Sequence, residues 1–397
     1  LTFVKAIVTA LVAILILTFA AAPVPAQTTS AEPYTFDVIL ELSGSNAFTG
    51  ELYATSLRIY EKYVNAHGGL FGRQVHFNLL DDQTNPQLAV QLASGVLAKH
   101  PVAFFGGGNT ATCAAIAPMV KDGPVDYCLS PGFTPDKGGY AFATSPSLKY
   151  ILDAVLQYCR NHGYKRLALI SATDATGRAS EQTLMDLLAL PANHDLTLTT
   201  DQHFAPTDIS IAAQVTQVAA AKADIVLSFA GGTPFGTVLR NLNDGGVHLP
   251  VLTSSANINR AQLDQYKSFL PPQLIFNGPI FEMQDQLRDR GMRDAVNVLF
   301  STYKADNADL SPQSGFAWDP ALLVVSGLRK LGPSATAQQL RDYLLGLRGF
   351  PGVNGSYDFS IGDQHGLSAN SLVFVSWDPN TRNFSLVSGP GGSALHR

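Results

Sequence analysis

Residues 106–112 read Gly-Gly-Gly-Asn-Thr-Ala-Thr, between an apolar strand pattern and a small-residue helix pattern. Glycines let a bound group approach the backbone closely. A helix start offers free N–H groups and roughly half a unit of positive charge. Thr110 and Thr112 add hydroxyls. Such a loop suits a carboxylate or another small anion. It equally suits a plain turn followed by a threonine-capped helix, and residue types leave both readings open. Gly231-Gly232-Thr233 makes a similar strand-to-helix junction later in the chain.

Other polar groupings point away from catalysis. Asp81-Asp82 could imitate a carboxylate dyad, but Asn85-Pro86 follows. Acids and an early proline both mark helix starts, so the pair reads as a strand end and a helix signal. His194 and His203 stand nine apart with Asp201 and Asp208 nearby, which reads as a solvated polar stretch. Gly106 and Gly108 are followed at the third place by Ala111, so the Gly-x-Gly-x-x-Gly dinucleotide fingerprint is incomplete. No His-Glu-x-x-His, Gly-x-Ser-x-Gly elbow or P-loop is present. The expectation is a protein that is not an enzyme and needs no cofactor or metal.

Composition supports export and a bilobal body. Lys5, the apolar run Ala6 to Ala22 and Pro23-Val24-Pro25-Ala26-Gln27 form a secretory signal pattern over residues 1–26. An uncleaved anchor is the rival, because the run approaches the roughly 17-residue lower limit of a membrane span. The roughly 370 residues that follow are many for one core, which favours two lobes. Twenty-six basic against 31 acidic residues give a formal charge of −5. That balance supplies no basic face for nucleic acid. Cys113, Cys128 and Cys159 lack close Cys-x-x-Cys spacing. Cys113 and Cys128 lie one helix–strand step apart and could bridge in an exported protein; the alternative is three buried thiols.

Strand and helix patterns alternate. Strand candidates are Thr35–Leu40, Val75–Leu80, Val102–Phe105 and Val125–Leu129, with helices over Gly50–Ala66, Asn85–His100 and Thr112–Val120. A second set comprises helix Leu148–Asn161, strand Arg166–Ser171, helix Ser180–Leu188, strand Leu196–Thr200 and helix Ser210–Ala221. It continues with strand Asp224–Ala230, helix Thr233–Leu242 and strand Val251–Ser254. Strand Leu274–Gly278 precedes helices Arg288–Ala305, Pro320–Leu331 and Ala337–Leu347. A hairpin over Leu372–Trp377 and Asn383–Val387 ends the pattern. This succession predicts an α/β fold of parallel sheets covered on both faces. Ligands in such folds bind beyond the carboxyl ends of the strands.

Residues 65–73, Asn-Ala-His-Gly-Gly-Leu-Phe-Gly-Arg, precede a strand and then Asp81-Asp82. Leu42-Ser43-Gly44 with Gly50 come before this run, and Ala117-Pro118, Leu129-Ser130-Pro131, Asp174 with Gly177-Arg178, and Trp318-Asp319-Pro320-Ala321 follow it in order. Together these resemble the leucine/isoleucine/valine-binding family of periplasmic solute-binding proteins. The resemblance implies a two-lobed type I periplasmic binding protein fold, each lobe a parallel sheet flanked by helices, with three interlobe crossings. Lobe I would comprise residues 35–147 and 279–358, and lobe II residues 148–278 and 359–397. It implies capture of a small solute by lobe closure and delivery to an ABC transporter permease in the inner membrane. An extracytoplasmic sensor of the same fold is the alternative, and a secreted enzyme a more distant one.

By that resemblance Thr110 falls at a carboxylate-binding position, and Gly132 and Thr134 in a second ligand loop. Phe48 corresponds to an aromatic pocket wall. Phe133 would narrow the pocket or stack on the ligand, although core packing suits both phenylalanines. Thr176 stands where a tyrosine often closes on the ligand, and Gly232 and Thr233 fall in another ligand-facing loop. Ser254-Ser255-Ala256-Asn257 covers the segment where amino-acid binders carry a glutamate for the ligand ammonium, and no acid is present there. An ammonium buried without a carboxylate would be poorly compensated. Asp174, Asp208 or Asp319 could supply that charge in a shifted register. The expected ligand is an amino acid or, better, an aromatic or aliphatic carboxylate without an amine.

Overall fold

The computed structural model describes residues 32–395. The expected signal segment, residues 1–26, lies outside them. Five parallel strands form the first sheet: β1 (Tyr34–Leu40), β2 (Val75–Asp81), β3 (Ala103–Gly106), β4 (Val125–Cys128) and β5 (Ala141–Ala143), in the order β2-β1-β3-β4-β5. Helices α1 (Ala47–Ala66), α2 (Pro86–Leu97) and α3 (Thr110–Ile116) connect the first four strands. Val38, Ile39 and Leu40 are consecutive and wholly buried, as a strand covered on both faces requires. Tyr53, Leu57, Tyr60 and Val64 form the buried stripe of α1. Asn65 ends that helix by exchanging hydrogen bonds with both backbone groups of Val75, at 2.9 and 2.6 Å. Gly69 turns the chain at φ +61°, where a side chain would collide with the Arg73 carbonyl.

The second sheet has seven strands. Helix α4 (Leu148–Asn161) leads to β6 (Arg166–Ala172), α5 (Ala175–Leu188), β7 (Thr197–Phe204), α6 (Ala212–Ala220) and β8 (Ile225–Phe229). Then come α7 (Thr233–Asp244), β9 (Val251–Thr253), α8 (Arg260–Gln265) and β10 (Leu274–Pro279). The chain next returns to the first core with α9 (Arg290–Ala305), α10 (Pro312–Leu331) and α11 (Ala337–Leu345). Their Val296, Trp318 and Leu340 pack with Tyr60 and Phe105. A hairpin, β11 (Arg348–Pro351) with β12 (Ser356–Asp358), precedes the last return. There β13 (Leu372–Asp378) pairs antiparallel to β10 and β14 (Asn383–Leu386) antiparallel to β13, completing the second sheet. Its order is β14-β13-β10-β9-β8-β6-β7. The chain thus passes between the two sheets three times.

Buried hydrogen bonds tie the first and last crossings to each other and to α10. His365 Nδ1, on the last crossing, donates to the carbonyls of Thr144 and Ser145 on the first, at 3.2 and 3.0 Å. Gln364 Nε2 donates to the carbonyls of Gly139 and Ala141. The Thr144 hydroxyl donates to the Phe316 carbonyl at 2.8 Å.

That last bond explains one departure from expectation. Pro320 does not open a helix; α10 begins at Pro312 and runs through it. Proline has no N–H for the carbonyl four residues earlier. That carbonyl belongs to Phe316, and Thr144 supplies the donor instead. Helix α5 also starts five residues before the expected Ser180, because Asp174 accepts from Gly177 N at 2.7 Å and caps it. Helix α1 begins at Ala47 rather than Gly50. The short β5 and the β11–β12 hairpin carry too few residues for a periodic signal.

Cys113 and Cys128 form a disulfide with Cα atoms 5.8 Å apart, joining α3 to β4, and Cys159 is a buried free thiol. The bridge spans a sequence separation of 15. Constraining a loop of that length in the unfolded chain is worth about 3 kcal/mol. The Cys113→Ser/Cys128→Ser variant should lose about that much stability in urea denaturation; an unchanged midpoint would show the bridge contributes nothing.

Candidate functional site

Ligands of open α/β folds bind beyond the carboxyl ends of the strands, and loops from both sheets meet there. Asn109 caps α3, its Oδ1 accepting from the N–H groups of Ala111 and Thr112 at 3.1 and 3.0 Å. Those donors are therefore engaged within the loop, not free for an anion. Thr112 is wholly buried and its hydroxyl donates to the Asn109 carbonyl, so it locks the turn. Thr110 remains as the outward polar group. Its Oγ1 lies 3.2 Å from Ser130 Oγ, in the loop after β4. It also accepts from Thr176 Oγ1 at 3.1 Å, and Thr176 belongs to the first turn of α5 on the other sheet. Gly132 closes the group: a Cβ there would stand 2.5 Å from Thr110 Oγ1 and 3.7 Å from Thr176 Cγ2. Only glycine lets the hydroxyls meet.

The other expected residues are placed differently. Phe133 is buried and packs in one core with Ile39, Phe104 and Ile116. Phe48, in the first turn of α1, is 47 % exposed. Thr134 and Thr233 are exposed, Thr233 at the start of α7. Gly232 has φ +64° and its N–H donates to Asn257 Oδ1 at 3.1 Å. Asn257 is buried, and its Nδ2 donates to the Ala230 carbonyl and Thr253 Oγ1, both at 2.8 Å. It braces the Gly231-Gly232 loop from beneath.

The acids considered for a ligand charge are committed elsewhere. Asp174 caps α5 and Asp208 accepts from Ala205 N. Asp319 is wholly buried and accepts from Val353 N, Asn354 N and the Tyr357 hydroxyl. Asp81 accepts from Leu42 N, Ser43 N and the Ser43 hydroxyl, tying the first loop to β2.

Sequence reasoning missed Ser130, which it names only within the Leu129-Ser130-Pro131 run, and Glu41. Glu41 follows β1 and is wholly buried. Asn46 Nδ2 donates to its Oε1 at 3.0 Å, while no hydrogen bond reaches Oε2. Gly108 leaves room for that oxygen, since a Cβ there would come within 2.5 Å. Burial, aided by the charge of Asp82, pushes the Glu41 carboxyl up to about 7; its own backbone and the amides of Asn109 and Asn46 oppose this. Its only sequence signal is an acid after the apolar run Val38-Ile39-Leu40.

A hollow of about 180 Å³ is bordered by Tyr34, Thr35, Pro101 and Val102. It lies at the amino ends of β1 and β3, away from the margin where such folds bind ligands.

The family profile described as periplasmic binding protein matches residues 33–382. The chain belongs to the periplasmic binding protein family. No curated protein matches its sequence. Among solved structures, it is similar to an extracellular ligand-binding receptor from Rhodopseudomonas palustris. The TM-score is 0.78 and the identity 18 %, over 90 % of this chain and 100 % of that one. It is also similar to the branched-chain amino acid transporter substrate-binding protein LivJ from Streptococcus pneumoniae, solved with isoleucine (TM-score 0.73, 15 % identity, 89 % and 98 % covered). A leucine-binding protein LivK from Thermotoga maritima aligns at TM-score 0.75 and 14 % identity, covering 89 % and 97 %. These likenesses show the type I periplasmic binding protein fold, with its two sheets flanked by helices. The family consists of ligand-binding proteins, not enzymes.

Glu41 links this margin to pH. Its folded pKa of about 7 lies above the unfolded value of 4.5. The native state therefore holds this proton more tightly, and the associated stabilisation is full below about 4.5 and lost as pH rises through about 7. Glu41→Gln keeps the shape without the charge. Urea midpoints at pH 5 and pH 8 should differ less in this variant than in the parent. An equal difference would mean that Glu41 does not titrate in this way.

Proposed function

We propose that this protein is the extracytoplasmic solute-binding component of an ABC transporter of the branched-chain amino acid type. It captures a small carboxylate-bearing solute by closing two lobes and hands it to the permease. The lobes divide at residues 35–147 with 279–358, and 148–278 with 359–397. The observation carrying this reading is the Thr176-to-Thr110 hydrogen bond between the two sheet margins. A solute entering there would replace that bond with bonds to itself. The hydroxyls of Thr110, Ser130 and Thr176 are donors suited to a carboxylate. Thr134, Gly132, Gly232, Thr233 and Phe48 are assigned to the surrounding cleft.

The ligand class follows from the second lobe. The 255–257 turn contains no acid, and Asn257 is spent on the loop beneath. Asp174, Asp208 and Asp319 are engaged structurally, so an α-ammonium would lack a carboxylate partner from these residues. An aromatic or aliphatic acid without an amine fits better than leucine. Residues 1–26 would direct the chain to the periplasm. Among the described residues no helix is long and apolar enough to cross a membrane.

Thermal shift followed by calorimetric titration tests this with benzoate-type acids, short aliphatic acids and leucine. A cognate acid at 100 times its Kd should add about 2.7 kcal/mol of stability. Removing one hydroxyl that bonds the carboxylate, by Thr110→Val or Thr176→Val, should weaken binding about tenfold or more. Tight leucine binding with no response to the acids would overturn the ligand class. Full affinity in both variants would overturn the site.

A further inference from the structure

A second constellation lies on the same sheet as Thr176, outside the site already described. Glu181 projects from α5, and Asp201 and His203 from β7. Asp201 and His203 are two apart on a strand and share one face. His203 Nε2 lies 2.9 Å from Glu181 Oε2 and 3.4 Å from Asp201 Oδ1. One ligand atom from each residue falls within 4.8 Å of the others. Asp201 Oδ1 is sealed from solvent and no hydrogen bond reaches it. Among the described residues, no lysine or arginine forms an ion pair with either carboxylate. Two acids thus share one imidazole. Burial raises the Asp201 carboxyl; the His203 charge lowers it and that of Glu181 raises it further.

The geometry points to a divalent transition-metal site formed by His203 Nε2, Asp201 Oδ1 and Glu181 Oε2. One imidazole and two carboxylates suit Zn²⁺ or a neighbouring first-row cation better than Ca²⁺ or Mg²⁺, which favour all-oxygen shells. Zinc bonds of about 2.0–2.2 Å in a tetrahedron set ligand atoms about 3.3 Å apart. The observed 2.9 and 3.4 Å bracket that separation. Access is open: β7 is the edge strand of its sheet, and the His203 side chain is 43 % exposed. Water fills the remaining position. The cation clamps α5 onto β7, and Thr176, in the first turn of α5, is fixed with it. This site stands independently of which solute the cleft takes.

Calorimetric titration of the purified, untagged protein with ZnCl₂ tests the assignment, with MgCl₂ and CaCl₂ as controls. The expected result is one saturable Zn²⁺ site without response to Mg²⁺ or Ca²⁺. That site should weaken at least about tenfold in His203→Ala and in Glu181→Gln. Circular dichroism establishes that each variant is folded. Asp201→Asn, which preserves shape, replaces either variant that is not. Absence of saturable Zn²⁺ binding, or the same affinity in the folded variants, would overturn the site and leave the cluster an ion pair alone.

Discussion

The architecture depends on buried hydrogen bonds where the first and last chain crossings run side by side. His365 holds the carbonyls of Thr144 and Ser145, and Thr144 in turn holds Phe316. A neutral, hydrogen-bonded crossing can bend without exposing apolar core, because each sheet has its own. Residues of β1–β5 fill one core with α9–α11 and another with α2 and α3, and those of the seven-stranded sheet fill others. Hinge motion is commonly absorbed by a few such connecting residues. The crossings also fix which strand ends face each other, and this sets Thr110 opposite Thr176.

Polar cost is concentrated at the same margin. Glu41, Asp82 and Asp126 are all buried near the carboxyl ends of the first sheet, each with an oxygen that no hydrogen bond reaches. Asp126 accepts from Gly106 N and Asp82 from Thr84 N, so each also shapes a loop. Burial pushes Asp82 up to about 6 and Asp126 well above the usual carboxylate range. Buried carboxylates of this kind are expensive, and departures from local rules gather at functional edges. The opposite ends of the strands carry no comparable cluster among the described residues.

Much of this was legible in the sequence because strand and helix differ in period. The apolar stripe of α1 and the consecutive Val38-Ile39-Leu40 needed no partner to be read. Long-range compensation was not legible. Pro320 looked like a helix start because the hydroxyl that relieves it lies 172 positions from Phe316, whose carbonyl it takes over. Side-chain direction was equally hidden: Phe133 suited a pocket wall as well as a core, and Asn257 suited a ligand as well as a loop brace. Thr110, Gly132 and Thr176 could be singled out because family spacing marks their loops, and the structure places them side by side. His203 and Asp201 are near in sequence, but Glu181 joins them only through packing of α5 on β7.

The central claim is that two bodies hinge about the crossings and meet at Thr110 and Thr176. Small-angle X-ray scattering of a Thr110→Cys/Thr176→Cys variant, oxidised to join the two positions, tests it against the unlinked parent without ligand. The account predicts that the new bridge forms and that the bridged protein has a smaller radius of gyration, because the parent samples open arrangements. A bridge that fails to form, or identical scattering from bridged and parent proteins, would contradict a cleft that opens and shuts.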